Sequence, residues 1–246
     1  MAKESLNDLL YVGSAVMNYN LACFTRDRYI PGFEFLVGIP GSIGGGIKMN
    51  AGAYGNDFSD IIYLIEVVDF FGNRKILTRD QVDFLYRKSI NIDTMIIVGC
   101  FLYPISLIQN IFQKKTSNDL YKDYNIFFAD TFQGKKNQNN LKAIISNKMS
   151  ENISKRDNSQ PRQNVKTGGS TFINPSNSQY KAWQLIDGAG LRGYKIGGMM
   201  VSDIHCNFLI NYDNASIEDA IGLIKFIQDK VFTNSGILLK TEIKFL

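Results

Sequence analysis

Ile61 to Phe70 is a mostly apolar run broken by Glu66 and Asp69. That stretch reads as a β-strand, turned by Phe71-Gly72-Asn73 and followed by a return strand from Arg74 to Thr78, a hairpin signal. Met95 to Tyr103 is a short, nearly continuous apolar run and predicts a buried strand. Asn207 to Tyr212 reads as a further short strand, and Ile237 to Phe245 alternates well enough for a final one. Helical spacing appears elsewhere. Ser216 followed by Asp219 forms a shortened capping box, Ile217, Ile221, Ile224, Ile227 and Val231 make a buried stripe, and Gly236 ends the helix. Lys181 to Ala189 is helical with Ala182, Leu185 and Ile186 on one face and Gly190 as its C-cap. Leu141 opens an amphipathic helix carrying Leu141, Ile144, Ile145, Met149 and Ile153, with Lys155 and Arg156 suited to its C-terminal end. Asn7 to Arg28 is weaker: Leu9, Leu10, Val16 and Leu21 suggest a helix that Gly13 interrupts. The order of elements predicts an α+β fold without internal repeats.

Two segments depart from these patterns. Gln113 to Asn140 is rich in Lys, Asn, Asp and Tyr with little periodicity, and predicts a poorly ordered connection or insertion. Gly38 to Gly55 concentrates glycines with Pro40, Ser42 and Asn50, and interleaves them with Ile39, Ile43, Ile47 and Met49. Glycine accepts positive φ and lets another group approach the backbone. Its unscreened amides can form a concave anion site. The interleaved apolar residues argue against a plain surface loop and for backbone wrapped against a ligand.

Composition narrows the function classes. The net charge of +4 is mild and carries no block of like charge, which argues against nucleic-acid binding and against a polybasic membrane patch. Cys23, Cys100 and Cys206 are isolated, and His205 is the single histidine, so no metal-ligand spacing exists. No apolar run reaches transmembrane length and the N-terminus is not a signal peptide, so a reducing, cytoplasmic setting is expected.

Further motifs follow the glycine loop in order: Tyr86-Arg87-Lys88-Ser89, Gly168-Gly169-Ser170-Thr171-Phe172-Ile173-Asn174-Pro175, Gly190 to Gly198 with Val201 to Phe208, and Leu239-Lys240-Thr241-Glu242-Ile243. Singly, Arg87 would be a solvated cation, Ser170 a turn cap and Glu242 the exposed face of a strand. Jointly, the chain resembles the MurB family, the UDP-N-acetylenolpyruvoylglucosamine reductases of peptidoglycan synthesis. Gly38–Gly55 matches that family's GIPGSVGGA…MNAGAYG signature, and Gly169–Pro175 its GSxFxNP turn.

The resemblance implies a partial FAD-binding domain of the vanillyl-alcohol-oxidase type over 1–135. A C-terminal substrate domain over 136–246 would follow, its last strand carrying Glu242. It implies FAD as cofactor, NADPH as reductant, and reduction of UDP-N-acetylglucosamine enolpyruvate to UDP-N-acetylmuramate. Arg87, Ser170 and Glu242 match the family's catalytic residues: the arginine grips the substrate carboxylate through two N–H bonds, the serine gives the proton at C2, and the glutamate polarises the carboxylate. Gly38, Ile39, Pro40, Gly41, Ser42, Gly44, Gly45, Asn50, Gly52 and Ala53 match the flavin wall, and Tyr86 and Asn174 match substrate contacts. His205 reads as a packed histidine, and Lys195 as exposed.

Nothing in Met1 to Tyr29 resembles the family's GxGSN-like pyrophosphate turn. That predicts a shortened or split chain whose partner is a separately encoded N-terminal fragment. The competing expectation is a non-catalytic relic or nucleotide-sugar-binding module, supported by Gly188, a glycine standing where the helix would continue with an acidic residue.

Overall fold

The computed structural model describes residues 9–103, 135–161, 165–176 and 178–243. Most of the 113–140 connection lies outside that description. The chain divides into two compact units, Met1–Ser154 and Lys155–Leu246.

In the first unit, strands β1 (Leu10–Gly13), β2 (Gly52–Ala53), β3 (Asn56–Asp57), β4 (Ile62–Asp69), β5 (Arg74–Thr78), β6 (Phe84–Leu85), β7 (Lys88–Ser89) and β8 (Met95–Leu102) occur with helices α1 (Asn18–Asp27), α2 (Ile43–Lys48) and α3 (Lys135–Ser159). The main sheet has the order β1-β8-β4-β5, all antiparallel. The predicted hairpin forms. Asp69 Oδ1 accepts the amides of Phe71 and Asn73 at 3.0 Å each, and Gly72 takes φ 86. Such an Asx turn fixes the register of the two strands without help from the core.

The helix expected over Asn7–Arg28 is corrected. Leu10 to Gly13 is a strand paired with Gly99 to Leu102, and the helix starts only at Asn18. Val12 aligns with Cys100, which gives this short apolar run cross-strand neighbours that outweigh a weak helical spacing.

Phe33, Leu36, Ile43, Ile47, Phe58, Ile61, Ile62 and Ile65 are buried in one cluster with Leu141, Ile145 and Met149 of α3. The face of α3 is therefore core of the first unit. The compact units divide at 154/155 rather than 135/136. Residues 135–140, read from sequence as part of an irregular connection, are the first turns of α3, and Ile144 is exposed.

In the second unit, β9 (Thr167–Ser170), β10 (Lys195–Ile196), β11 (Met199–Val201) and β12 (Phe208–Asn211) form a sheet of order β10-β11-β12-β9, with helices α4 (Ala182–Gly188) and α5 (Ile217–Ser235). The capping box on α5 is present in both directions: the Asp219 amide donates to Ser216 Oγ at 3.1 Å, and the Ser216 amide donates to Asp219 Oδ2 at 3.0 Å. Gly236 ends α5 in the left-handed region at φ 70. The buried stripe is Leu223, Ile224, Ile227 and Val231, while Ile217 is exposed at the first turn. The expected final strand is reduced to one bridge, Phe172 with Thr241, inside an extended segment.

Asp187 and Arg192 staple α4 to the loop after it through two bonds of 2.9 and 2.8 Å. The guanidinium holds the Asp187 carboxyl below its ordinary range. A depressed folded-state value means that the stabilisation is complete above about pH 4, where the unfolded carboxyl is ionised, and is lost as pH falls. Both side chains are more than a third exposed (37% and 38%), so the effect is small. Asp187→Asn is expected to flatten the acid limb of a thermal-melting profile between about pH 4 and pH 2 and to leave the neutral limb lowered by a near-constant amount.

Candidate active site

The glycine loop is built from the inside. Asn18, at the start of α1, collects three of its carbonyls: its amide donates to Gly41 O at 3.0 Å, and its side-chain nitrogen donates to Ile39 O at 3.3 Å and Pro40 O at 3.4 Å. The Tyr54 hydroxyl reaches Asn152 O at 2.6 Å, which lays its ring over Gly38. A Cβ on Gly38 would stand 2.6 Å from that ring. A Cβ on Gly44 would meet Ser14 at 2.9 Å, and one on Gly46 would meet Phe58 at 2.2 Å. These glycines make room for the protein itself. Gly41 and Gly45 are different: both are exposed, Gly41 (φ 92) has nothing within 4 Å of its Cβ position, and Gly45 has only Ser42 Oγ at 3.7 Å.

The amides decide what this surface can hold. Ile43 N donates to Val16 O at 2.8 Å, Gly44 N to Ser14 O at 2.9 Å, Gly45 N to Ser42 Oγ at 3.4 Å and Gly46 N to Ser42 O at 2.8 Å. The amides of residues 43–46 are thus taken by the chain's own oxygens. Between Gly38 and Asn50 the exposed residues are Pro40, Gly41 and Gly45.

Asn50 belongs to the inside of this loop. It is buried, its Oδ1 accepts Ser59 N at 3.0 Å, and its Nδ2 donates to Asp57 Oδ2 and Leu85 O at 3.1 Å each. Its side chain is thus occupied by the fold. Gly52 and Ala53 lie in β2, against β3. Arg87, with φ 56, donates from Nη2 to Gly52 O at 2.8 Å, and its guanidinium lies 5.2 Å from the exposed Tyr86 ring. The structure therefore brings Arg87 and Tyr86 to the far end of the glycine loop.

Ser170 and Glu242 both lie in the second unit. Ser170 ends β9 opposite Phe208, and its hydroxyl has no hydrogen-bond partner among the described residues. Glu242 N donates to Thr171 O at 2.8 Å, and Ile173 N to Lys240 O at 2.9 Å. The two residues thus sit on neighbouring extended segments one step apart in register. Asn174 Oδ1 accepts Ala182 N at 3.0 Å and so caps α4.

His205 packs between Trp183 (ring centroids 6.0 Å apart) and Phe208 (4.9 Å), and Nδ1 accepts Asn207 N at 3.2 Å. Burial pushes its pKa down. The packed histidine expected from sequence is what the fold contains. Burial likewise pushes the Cys206 thiol up to about 11, which leaves it a poor nucleophile. The Gly197-Gly198 turn is also filled, since Asp219 Oδ2 accepts Gly198 N at 3.0 Å. Lys195 is exposed, its ammonium 4.5 Å above the Tyr212 ring. Among the described residues no cluster of His, Cys, Asp or Glu suits a metal ion, and no helix is long and apolar enough to cross a membrane.

Sequence reasoning missed the three asparagines that hold these segments: Asn18, Asn152 and Asn207. A buried asparagine leaves little signature, because its type also marks turns and caps.

Comparison with known proteins adds an independent line. A family model described as UDP-N-acetylenolpyruvoylglucosamine reductase, C-terminal domain, matches residues 160–246. A Rickettsia prowazekii protein named UDP-N-acetylenolpyruvoylglucosamine reductase is 43% identical over 241 residues, covering 98% of this chain and 70% of that protein. Its Rickettsia felis counterpart, of the same name, is 43% identical over 243 residues, again with 70% of the relative covered. The crystal structure of UDP-N-acetylenolpyruvylglucosamine reductase (MurB) from Thermus caldophilus superimposes with a TM-score of 0.72 at 26% identity, over 96% of this chain and 71% of that one.

Proposed function

The chain belongs to the UDP-N-acetylenolpyruvoylglucosamine reductase family, and from that premise we propose that it reduces UDP-N-acetylglucosamine enolpyruvate to UDP-N-acetylmuramate for peptidoglycan synthesis, with FAD bound and NADPH as reductant. The observation that carries the reading is the Thr171–Glu242 backbone bond, which joins the segment following Ser170 to the one that carries Glu242. A proton donor and a carboxyl group on adjoining segments suit a reaction that builds and then quenches negative charge beside a carboxylate.

FAD, when bound and reduced, supplies the hydride that goes to C3 of the enolpyruvyl ether. Pro40, Gly41 and Gly45 would carry its flat face, with Ser42 holding the turn beneath them as the cap of α2. The chain's own residues do the rest. Arg87 grips the substrate carboxylate through two N–H bonds and steadies the charge that develops at C2. Tyr86 lines the same edge. Ser170 Oγ gives its proton to C2 and recovers one from solvent, and Glu242 polarises the carboxylate. The net change is addition of one hydride and one proton across the double bond, with NADPH oxidised to NADP. The three free cysteines accord with work in the reducing cytoplasm.

The test is direct. Purified protein supplied with FAD and NADPH should convert the enolpyruvyl substrate to a product two mass units heavier, with matching loss of NADPH absorbance. Calorimetric binding of the UDP-sugar without any turnover would replace this reading with a nucleotide-sugar-binding module. Arg87→Lys, which keeps the charge but loses the bidentate grip, is expected to lower kcat/KM for the substrate about 10–100-fold. Steady-state kinetics at fixed NADPH would check it.

A further inference from the structure

Asn207 is buried at 4% exposure, and every polar atom it has is used. Its Oδ1 accepts Phe172 N at 2.9 Å, and its Nδ2 donates to Phe172 O at 2.8 Å. Its backbone oxygen accepts Thr171 N at 2.7 Å, and its backbone N–H goes to His205 Nδ1 at 3.2 Å. A carboxamide facing both polar groups of one residue imitates a strand neighbour. It does so where the ladder between β9 and β12 is irregular, because the register shifts between Phe208 and Ile210. Thr171 and Phe172 in turn hold the last described segment: Thr171 O accepts Glu242 N, and Phe172 bridges Thr241. The path Asn207–Phe172–Thr241 is therefore continuous; Ser170 lies two residues before Phe172, opposite Phe208, and Glu242 follows Thr241.

We propose that Asn207 is a positioning residue, one that sets the register between the Ser170 turn and the Glu242 segment so that proton donor and carboxyl group face the same reacting carbon. This rests on the assignment of Ser170 and Glu242 made above. Asn207 touches no reacting atom; it acts by fixing the backbone of 171 and 172. Burial makes the pair of bonds consequential, because removing the carboxamide leaves Phe172 N and O unsatisfied in a site closed to water.

Two readouts on the purified chain separate this proposal from the functional assignment. The first is amide hydrogen exchange. In Asn207→Leu, close in volume but apolar, the amides of Phe172 and Glu242 are expected to exchange about tenfold faster or more, while those of α5 keep their rates. Unchanged exchange at Phe172 overturns the proposal whether or not the protein reduces anything. The second readout is kinetic, on protein loaded with FAD. Reduction of flavin by NADPH should be unaffected, whereas turnover of the enolpyruvyl substrate falls about 10–100-fold with KM within about threefold. Equal slowing of both half-reactions would mark a general packing role and overturn the positioning role. Should Asn207→Leu fail to fold, Asn207→Asp keeps the acceptor for Phe172 N and loses the donor to Phe172 O. It is expected to fall between wild type and a full loss, and wild-type exchange at Glu242 in that variant would refute the path. A wild-type protein that binds FAD yet leaves the substrate unchanged would sink the functional assignment alone, with the exchange result still deciding Asn207.

Discussion

Ser170→Ala is expected to slow conversion of the enolpyruvyl substrate by about 10²–10⁴-fold, the range for a positioned proton donor. Substrate affinity should hold, because the hydroxyl is assigned to proton transfer rather than to binding. The argument is geometric. Ser170 closes β9 opposite Phe208, its backbone is pinned on one side by β12 and, through Thr171, on the other by Glu242. Gly169 before it has φ 84, a conformation that side-chain-bearing residues rarely adopt. A hydroxyl is a weak acid, so it donates usefully only to a strong carbon base held close. Losing the oxygen leaves water to do the work from an unfixed position. Ser170→Cys, with a more acidic but larger group, should retain more activity than the alanine variant. The decisive measurement is rapid mixing of reduced enzyme with substrate. Flavin reduction by NADPH should match wild type in Ser170→Ala, and flavin reoxidation by substrate should show the whole deficit. Wild-type reoxidation in that variant would remove Ser170 from the mechanism.

The second large effect is on stability. Phe58→Ala is expected to destabilise the first unit by about 3–5 kcal/mol, the usual cost of emptying a fully buried aromatic site. Phe58 is wholly inaccessible, packs edge-on to Phe35 at 6.5 Å and lies directly under Gly46 of α2. Its position is set locally by a capping box, in which Asp57 Oδ1 accepts Ser59 N at 2.9 Å and Asp60 Oδ2 accepts Asp57 N at 2.9 Å. The ring cannot shift to relieve the hole. The mirror experiment is Gly46→Ala, which inserts a methyl 2.2 Å from the Phe58 ring and should cost about 1–3 kcal/mol through overpacking. Combined, the two changes should cost less than their sum, because the new methyl enters the space the ring vacates. Urea titration followed by circular dichroism reads both effects. Trp183, the single tryptophan, lies in the other unit and gives a separate fluorescence signal for it. Strict additivity would show that Gly46 and Phe58 are not in contact.

Local chemistry made much of the fold legible. The Asp69–Asn73 turn, the Ser216–Asp219 box and the Gly236 stop each depend on residues within a few positions of one another, and each stands as the sequence predicts. Competition between distant partners was harder to read. Leu10 to Gly13 looks helical until Gly99 to Leu102 is placed beside it. The α3 helix was legible as a helix but not as part of the first core, because an amphipathic face does not state which neighbour it covers. At the candidate site the residue types were readable and the hydrogen-bond destinations were not. The glycine loop suggested open amides, yet Ser14, Val16 and Ser42 lie close enough to take them. Asn50 and Asn174 suggested ligand contacts, and the fold spends their side-chain oxygens on Ser59 and Ala182.

The satisfied amides of the glycine loop have a thermodynamic corollary. A loop that waits for its ligand to complete its hydrogen bonds must order itself at the moment of binding, and association then carries a conformational-entropy cost. Here Ser14, Val16 and Ser42 take the amides of residues 43–46 within the fold, and Asn18 holds the turn from behind. That stretch is finished when the chain is finished. A flat aromatic ligand settling on Gly41 and Gly45 would register as desolvation of two faces, with a negative heat-capacity change in proportion to the area covered and little signature of folding.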